Sequence, residues 1–255
     1  MSLDILFIHP NASGKIYQDL NKDHSAIEPP IWAGMLANRC RNKKHNVQVL
    51  DCEALRLDYR HSVNEIINFN PRIACFVVYG QQPSASSQNM EGAIAISKIL
   101  KKTKPEIKIL FVGGHVAALP TETLEKENSV DIIALNEGAY SISNLLEVEN
   151  LDDYTYLKKV KGIGFRDEEK KIILTNPENI IPKNSLEKDL PGVAWDLLPN
   201  LSSYRTAGWH SWTNNSDKQP FAAFYTSLGC PYKCSFCMIN IINRTNNSQN
   251  ISSKN

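Results

Sequence analysis

The 255-residue sequence has no apolar run approaching the ~20 residues that a membrane-spanning helix needs, so no membrane partner is expected. Its first residues, MSLDILFIHP, contain neither a basic stretch nor a small-residue cleavage site, so they do not read as a secretory signal. It also lacks an excess of charge of either sign. Lys and Arg number 28 against 27 Asp and Glu, a net +1, which argues against nucleic acid or an anionic surface as a partner through bulk electrostatics. No internal repeat is present. What the chain does have is 42% hydrophobic and 22% charged residues, the composition of a globular protein with a real core. A cytoplasmic location is expected.

The sequence also lacks paired C-x2-C units and any histidine after Cys237. A structural zinc site would need four ligands, usually from such pairs, and only His210 stands nearby as a fourth. The six cysteines fall into two groups. Cys40, Cys52 and Cys75 sit in apolar helix- or strand-like segments and read as buried, inert thiols. Cys230, Cys234 and Cys237 lie within eight residues, in SLGCPYKCSFCMIN, with the spacing C-x3-C-x2-C. In a reducing compartment clustered thiols hold metal more often than they form disulfides. Three thiolates on one loop suit three corners of a [4Fe–4S] cube, leaving one iron open for chemistry.

Along the first 150 residues, strand-like and helix-like patterns alternate. Strands are expected over 4–8, 47–51, 73–80, 108–114 and 131–135, and helices over the PPIWAGMLANRCRNKKH segment, 62–69, 90–102, 121–127 and 139–148. This order predicts an α/β fold: a flavodoxin/Rossmann-like doubly wound parallel sheet with helices on both faces. Such sheets bind ligands at the carboxyl ends of their strands. The candidate ends are His9-Pro10-Asn11, Tyr79-Gly80-Gln81, Gly113-Gly114-His115 and Asn136-Glu137-Gly138. The Gly113-Gly114 pair would let backbone approach a bulky ligand. The Ser/Gln-rich stretch 81–89 would offer hydrogen bonds to a nucleotide tail. Beyond residue 150, a β-hairpin is expected over 162–176. Residues 183–212 read as an irregular connector packed by Trp195, Trp209 and Trp212. A new apolar strand over 221–229 would run straight into the cysteines.

The cysteine loop resembles the radical S-adenosylmethionine signature, with Phe236 as the aromatic residue before the last cysteine. The resemblance implies that Cys230, Cys234 and Cys237 are the metal ligands of a [4Fe–4S] cluster and that Phe236 lies near the adenine of S-adenosylmethionine. It further implies that residues 219–255 begin a radical SAM (β/α) barrel, with 221–229 as its first strand. In that family the open iron is chelated by S-adenosylmethionine, which an electron cleaves to methionine and a 5′-deoxyadenosyl radical.

Residues 1–150 are similar to the cobalamin-binding (B12-binding type) domains that precede such barrels. The resemblance rests on the EPPIWAGMLANRCR, VQVLD, FVGGHVAALP and LNEGAYSISNLL segments, although the family more often has G-E-x-E where this chain has Asn136-Glu137-Gly138-Ala139. It implies that Asn11, Gly113, Gly114, His115, Glu137 and Gly138 contact cobalamin. The D-x-H-x-x-G motif that supplies a cobalt-ligating histidine in some cobalamin proteins is absent. His9 and His115 stand outside any such motif, so a lower face without histidine is expected.

The resulting organisation is a cobalamin-binding-like domain over 1–150, a hairpin and connector over 151–218, and the start of a radical SAM domain over 219–255. Eighteen residues follow Cys237, whereas a full barrel takes ~200 or more. The chain therefore reads as a fragment, inactive on its own, of a cobalamin-dependent radical S-adenosylmethionine enzyme, of which a methyltransferase is the commonest kind. Its partners would be a small-molecule substrate and a reductase, flavodoxin or ferredoxin as electron donor. Two other readings stay open: a cobalamin-binding carrier or sensor with a vestigial cluster loop, and a zinc-stapled α/β protein.

Overall fold

Hydrophobic strands alternate with helices along the chain, and the computed structural model shows what they build. It describes residues 3–16, 18–21, 25–80, 83–206, 219–225, 228–230, 232, 234–237 and 239. The strands are β1 (Leu3–His9), β2 (Val47–Asp51), β3 (Pro71–Val78), β4 (Lys108–Gly113), β5 (Ile132–Ala134), β6 (Ile163–Arg166) and β7 (Ile172–Leu174). The helices are α1 (Ser13–Ile16), α2 (Ile31–Asn42), α3 (Tyr59–Phe69), α4 (Pro83–Thr103), α5 (Gly114–Ala118), α6 (Pro120–Lys126), α7 (Ala139–Leu146), α8 (Tyr154–Leu157) and α9 (Leu186–Asp189).

Among the described residues the strands form one sheet in the order β2-β1-β3-β4-β5-β6-β7. The first five are parallel, in the flavodoxin order 2-1-3-4-5, and the chain reverses direction across the sheet between β1 and β3. β6 and β7 are antiparallel. The expected hairpin thus forms, and it extends the sheet beside β5.

Each central strand is buried on both faces, which is why it reads as a continuous apolar run. Ile5 and Phe7, Ile73, Cys75 and Val77, Leu110 and Val112 point to one core, shared with α2 and α7. Leu6 and Ile8, Ala74, Phe76 and Val78, Ile109 and Phe111 point to the other, which is shared with α4. Met90, Ala93, Ile96 and Leu100 repeat at helical spacing and bury one stripe of α4. Asp58 caps α3 by accepting the His61 N–H at 2.8 Å, and Asn70 ends that helix in the left-handed region. Pro71 then opens β3, a position where a missing N–H is tolerated.

The structure refines three of these segments. From Pro83 onward the Ser/Gln-rich stretch 81–89 is the first turns of α4, seven residues ahead of the expected helix start at 90, while 81 and 82 lie outside the described residues. Proline suits a helix start, and the apolar stripe further along packs the whole helix on the sheet, overriding the weak helix preference of serine. Of the strand expected over 221–229, residues 221–225 have no strand structure, 226 and 227 lie outside the described residues, and Leu228 stands in an isolated β-bridge. Gly113-Gly114 leads directly into a short helix, α5.

The connector lies over α2. Gly34 makes this possible, because a Cβ there would stand 2.5 Å from Val193 Cγ1. Arg39 reaches out of α2 to donate to the carbonyls of Ala139 (2.8 Å) and Asp189 (2.6 Å), and lies 4.5 Å over the Tyr140 ring. Trp195 is exposed, and Trp209, Trp212 and His210 lie outside the described residues.

Candidate cofactor edge and cysteine loop

The four predicted strand ends lie along one edge of the sheet, since β1, β3, β4 and β5 are parallel and adjacent. Gly113 closes the end of β4 against β3: a Cβ there would be 2.1 Å from the Val78 carbonyl oxygen. Ser86 of α4 reinforces this junction. Its hydroxyl donates to the Val78 carbonyl and accepts the His115 N–H at 2.9 Å. His115 is half-buried at the start of α5, with Nδ1 3.0 Å from the exposed Ser87 hydroxyl. Burial lowers its pKa, partly opposed by Glu122, so the imidazole is neutral near pH 7. Gly114 is buried in the first turn of α5.

Asn11 and Glu137 are used internally. Asn11 donates to the Leu57 carbonyl at 3.1 Å and accepts from the Ser13 N–H and hydroxyl. The buried Glu137 carboxylate accepts the Ile181 N–H at 2.6 Å. Gly138 adopts φ +80° at the head of α7, where a Cβ would also meet Val112 at 2.7 Å, so a side chain is excluded twice over.

The carboxyl ends of β1 and β2 carry a polar cluster in which the strand pattern singled out His9 but not Asp51, Glu53, Glu28 or Tyr204. His9 Nε2 is 3.3 Å from Glu53 Oε2. Burial by itself lowers the His9 pKa, but the Glu53 hydrogen bond and the charges of Asp51, Glu53 and Glu28 outweigh it and leave it raised. Burial raises Asp51, against the pull of His9, the Ala54 N–H and the Tyr204 hydroxyl. Glu28 is likewise raised by burial and by Glu53. The available sequence signal was an aspartate closing a largely apolar strand, VQVLD.

The six cysteines divide in the structure as their spacing suggests, and none is in a disulfide. Cys40, Cys52 and Cys75 are buried. Burial pushes the first two thiols up to about 12, and Cys75 well above its ordinary value. Cys234 is exposed, and Cys230 and Cys237 are half-buried. The Cys237 N–H donates to the Cys234 carbonyl at 3.1 Å, turning the loop. Phe236 at that turn is 90% exposed. Among the described residues no three His, Cys, Asp or Glu side chains are gathered into a metal-binding group. What fits a cluster is therefore the donor set: three accessible thiols, against three that are sealed in the core.

Doubly wound sheets take their ligands at the carboxyl ends of the strands, the edge along which these glycines and hydroxyls lie. Residues 22–146 match the family model described as the B12 binding domain. The chain is 26% identical over 209 residues to an uncharacterized methyltransferase of Pyrococcus horikoshii, covering 82% of this chain and 40% of that protein. It is also 26% identical over 214 residues to the hopanoid C-3 methylase of Methylococcus capsulatus, covering 82% and 35%. Two solved structures share its fold. OxsB, a cobalamin-dependent S-adenosylmethionine radical enzyme, superposes on 92% of this chain and 28% of its own length, with a TM-score of 0.62 at 16% identity. The radical S-adenosylmethionine methyltransferase TsrM of Kitasatospora setae superposes on 93% and 41%, with a TM-score of 0.54 at 15% identity. The chain thus spans well under half the length of these relatives.

Proposed function

We propose that this chain supplies the cofactor-binding front of a cobalamin-dependent radical S-adenosylmethionine enzyme, a methyltransferase by preference. One observation carries the reading. A match to the B12 binding domain model and a C-x3-C-x2-C loop occur in the same chain, and the loop's thiols are the accessible ones among six.

In this reading cobalamin lies along the carboxyl edge of the sheet. Gly113 and Gly114 shape that edge by letting the end of β4 close on β3 and run into α5, and Gly138 shapes it at the head of α7. His115 and Ser87 offer it a neutral imidazole and a hydroxyl. Asn11 and Glu137 act one step back, holding the loop after β1 and the segment at Ile181. Cys230, Cys234 and Cys237 ligate three irons of a [4Fe–4S] cluster, and Phe236, free of packing in this state, covers the adenine of S-adenosylmethionine. When bound, such a cluster supplies the electron that cleaves the sulfonium. A small-molecule methyl acceptor, a flavodoxin- or ferredoxin-type donor and a cytoplasmic setting belong to the same reading. Among the described residues, no helix is long and apolar enough to cross a membrane.

The test is anaerobic reconstitution of the full chain with iron and sulfide, followed by visible and EPR spectroscopy. A reduced [4Fe–4S] signal that Cys234→Ala abolishes is expected, together with cobalamin retained through gel filtration. Zinc uptake without iron would replace this reading with a zinc-stapled fold. Cobalamin retention without iron would replace it with a carrier.

A further inference from the structure

Tyr225 stands five residues before Cys230, on a segment, 219–225, that has no strand or helix of its own. Side-chain packing holds it. Tyr225 meets Trp32 of α2 edge-on, with 6.3 Å between ring centroids, and both Tyr225 and Leu228 pack against the core on the α2 side of the sheet. Trp32 also contacts Tyr79, just past β3, at 5.1 Å. Its indole N–H donates to the Glu137 carbonyl, just past β5, at 3.0 Å. One buried indole therefore touches two of the sheet's carboxyl ends and the segment that leads into the cysteines. The Tyr79 phenol oxygen is buried and has no hydrogen-bond partner among the described residues, so its ring rather than its hydroxyl makes the contact.

We propose that Trp32, with Tyr79 and Tyr225 as its partners, is a positioning residue that holds the cysteine loop at a set distance from the carboxyl edge of the sheet. The inference rests on the function proposed above, in which that distance separates the iron–sulfur cluster from cobalamin. Five residues of chain reach at most ~18 Å, so fixing Tyr225 confines Cys230 to the neighbourhood of this edge. Two reacting centres on separate elements gain rate only when their geometry is held, and over 219–225, which has no strand structure, a ring cluster can supply this.

The test uses the full chain. In Trp32→Ala, amide hydrogen exchange over 219–239 accelerates on the order of tenfold while β1, β3 and β4 stay protected. Trp32→Phe and Tyr79→Phe, which keep a ring in place, retain slow exchange. Should Trp32→Ala fail to fold, Tyr225→Ala, which alters only the arm, gives the same acceleration. Unchanged exchange in a folded variant overturns the proposal. In protein loaded with both cofactors, pulsed EPR reads the dipolar coupling between the reduced cluster and cob(II)alamin. The coupling is narrow in the wild type and spread or weakened in Trp32→Ala, and an identical coupling overturns the positioning role while leaving the cofactor assignment intact. Failure to load iron or cobalamin counts against the proposed function, and the exchange result then decides the positioning role alone.

Discussion

The Tyr204 hydroxyl donates to Asp51 Oδ2 at 2.9 Å, joining residues 153 positions apart in sequence, and both side chains are buried. The other carboxylate oxygen of Asp51 accepts the N–H groups of Glu53 and Ala54 at the end of β2. Beside this bond, Arg205 and Ile27 exchange two backbone hydrogen bonds of 2.9 Å. The connector is thereby tied to the carboxyl end of β2.

Tyr204→Phe keeps the ring but leaves Asp51 Oδ2 buried without its donor. A buried group left unsatisfied costs about 1–3 kcal/mol. Urea denaturation of the variant is expected to show an unchanged slope and a midpoint lowered by that free energy divided by the slope. An unchanged midpoint would mean that the bond contributes nothing.

His9 gives a pH dependence of definite sign. Its pKa is raised above 6.5 in the fold, by the Glu53 hydrogen bond and the charges of Asp51, Glu53 and Glu28 acting against burial. The folded protein therefore binds this proton more tightly than the unfolded chain does. The stabilisation is complete below the unfolded value and is lost as pH rises through the higher folded one. The stability difference between wild type and His9→Gln should shrink as pH is raised from about 5.5 to about 9. A difference that grows over that range would refute the assignment.

Gly113→Ala places a methyl carbon 2.1 Å from the Val78 carbonyl oxygen, which is backbone and has no rotamer to escape by. The ends of β3 and β4 must part, with an expected loss of about 1–3 kcal/mol or more. Thermal unfolding reads the loss, and cobalamin retention by the folded fraction is expected to weaken with it. Wild-type stability in this variant would show that the junction is looser than described.

The thiols are expected to titrate in two classes. Native protein treated with a thiol reagent modifies Cys234 first, then Cys230 and Cys237. Cys40, Cys52 and Cys75 react only after denaturant is added, because they are buried and their thiolates are disfavoured. Mass spectrometry of the labelled peptides checks the order, and early modification of Cys75 would contradict it.

The sequence alone determined the local patterns and the donor set. VQVLD is a strand over the residues expected of it, and IACFVVYG and KILFVGG form central strands because a segment buried on both faces must be apolar throughout. The parallel order followed from strict strand–helix alternation, and the division of the cysteines followed from their spacing and apolar surroundings. Only the tertiary structure decided the contacts between residues far apart in the chain. It turned residues 83–89 into helix by packing the rest of α4 on the sheet, and it paired β6 with β5 to lengthen that sheet. It buried His9, Asp51 and Tyr204 together, and it set Trp32 between Tyr79 and Tyr225. None of these pairings has a period or a short motif. They arise because the fold closes loops of many residues around shared cores, and no local pattern records which distant side chain will fill a given space.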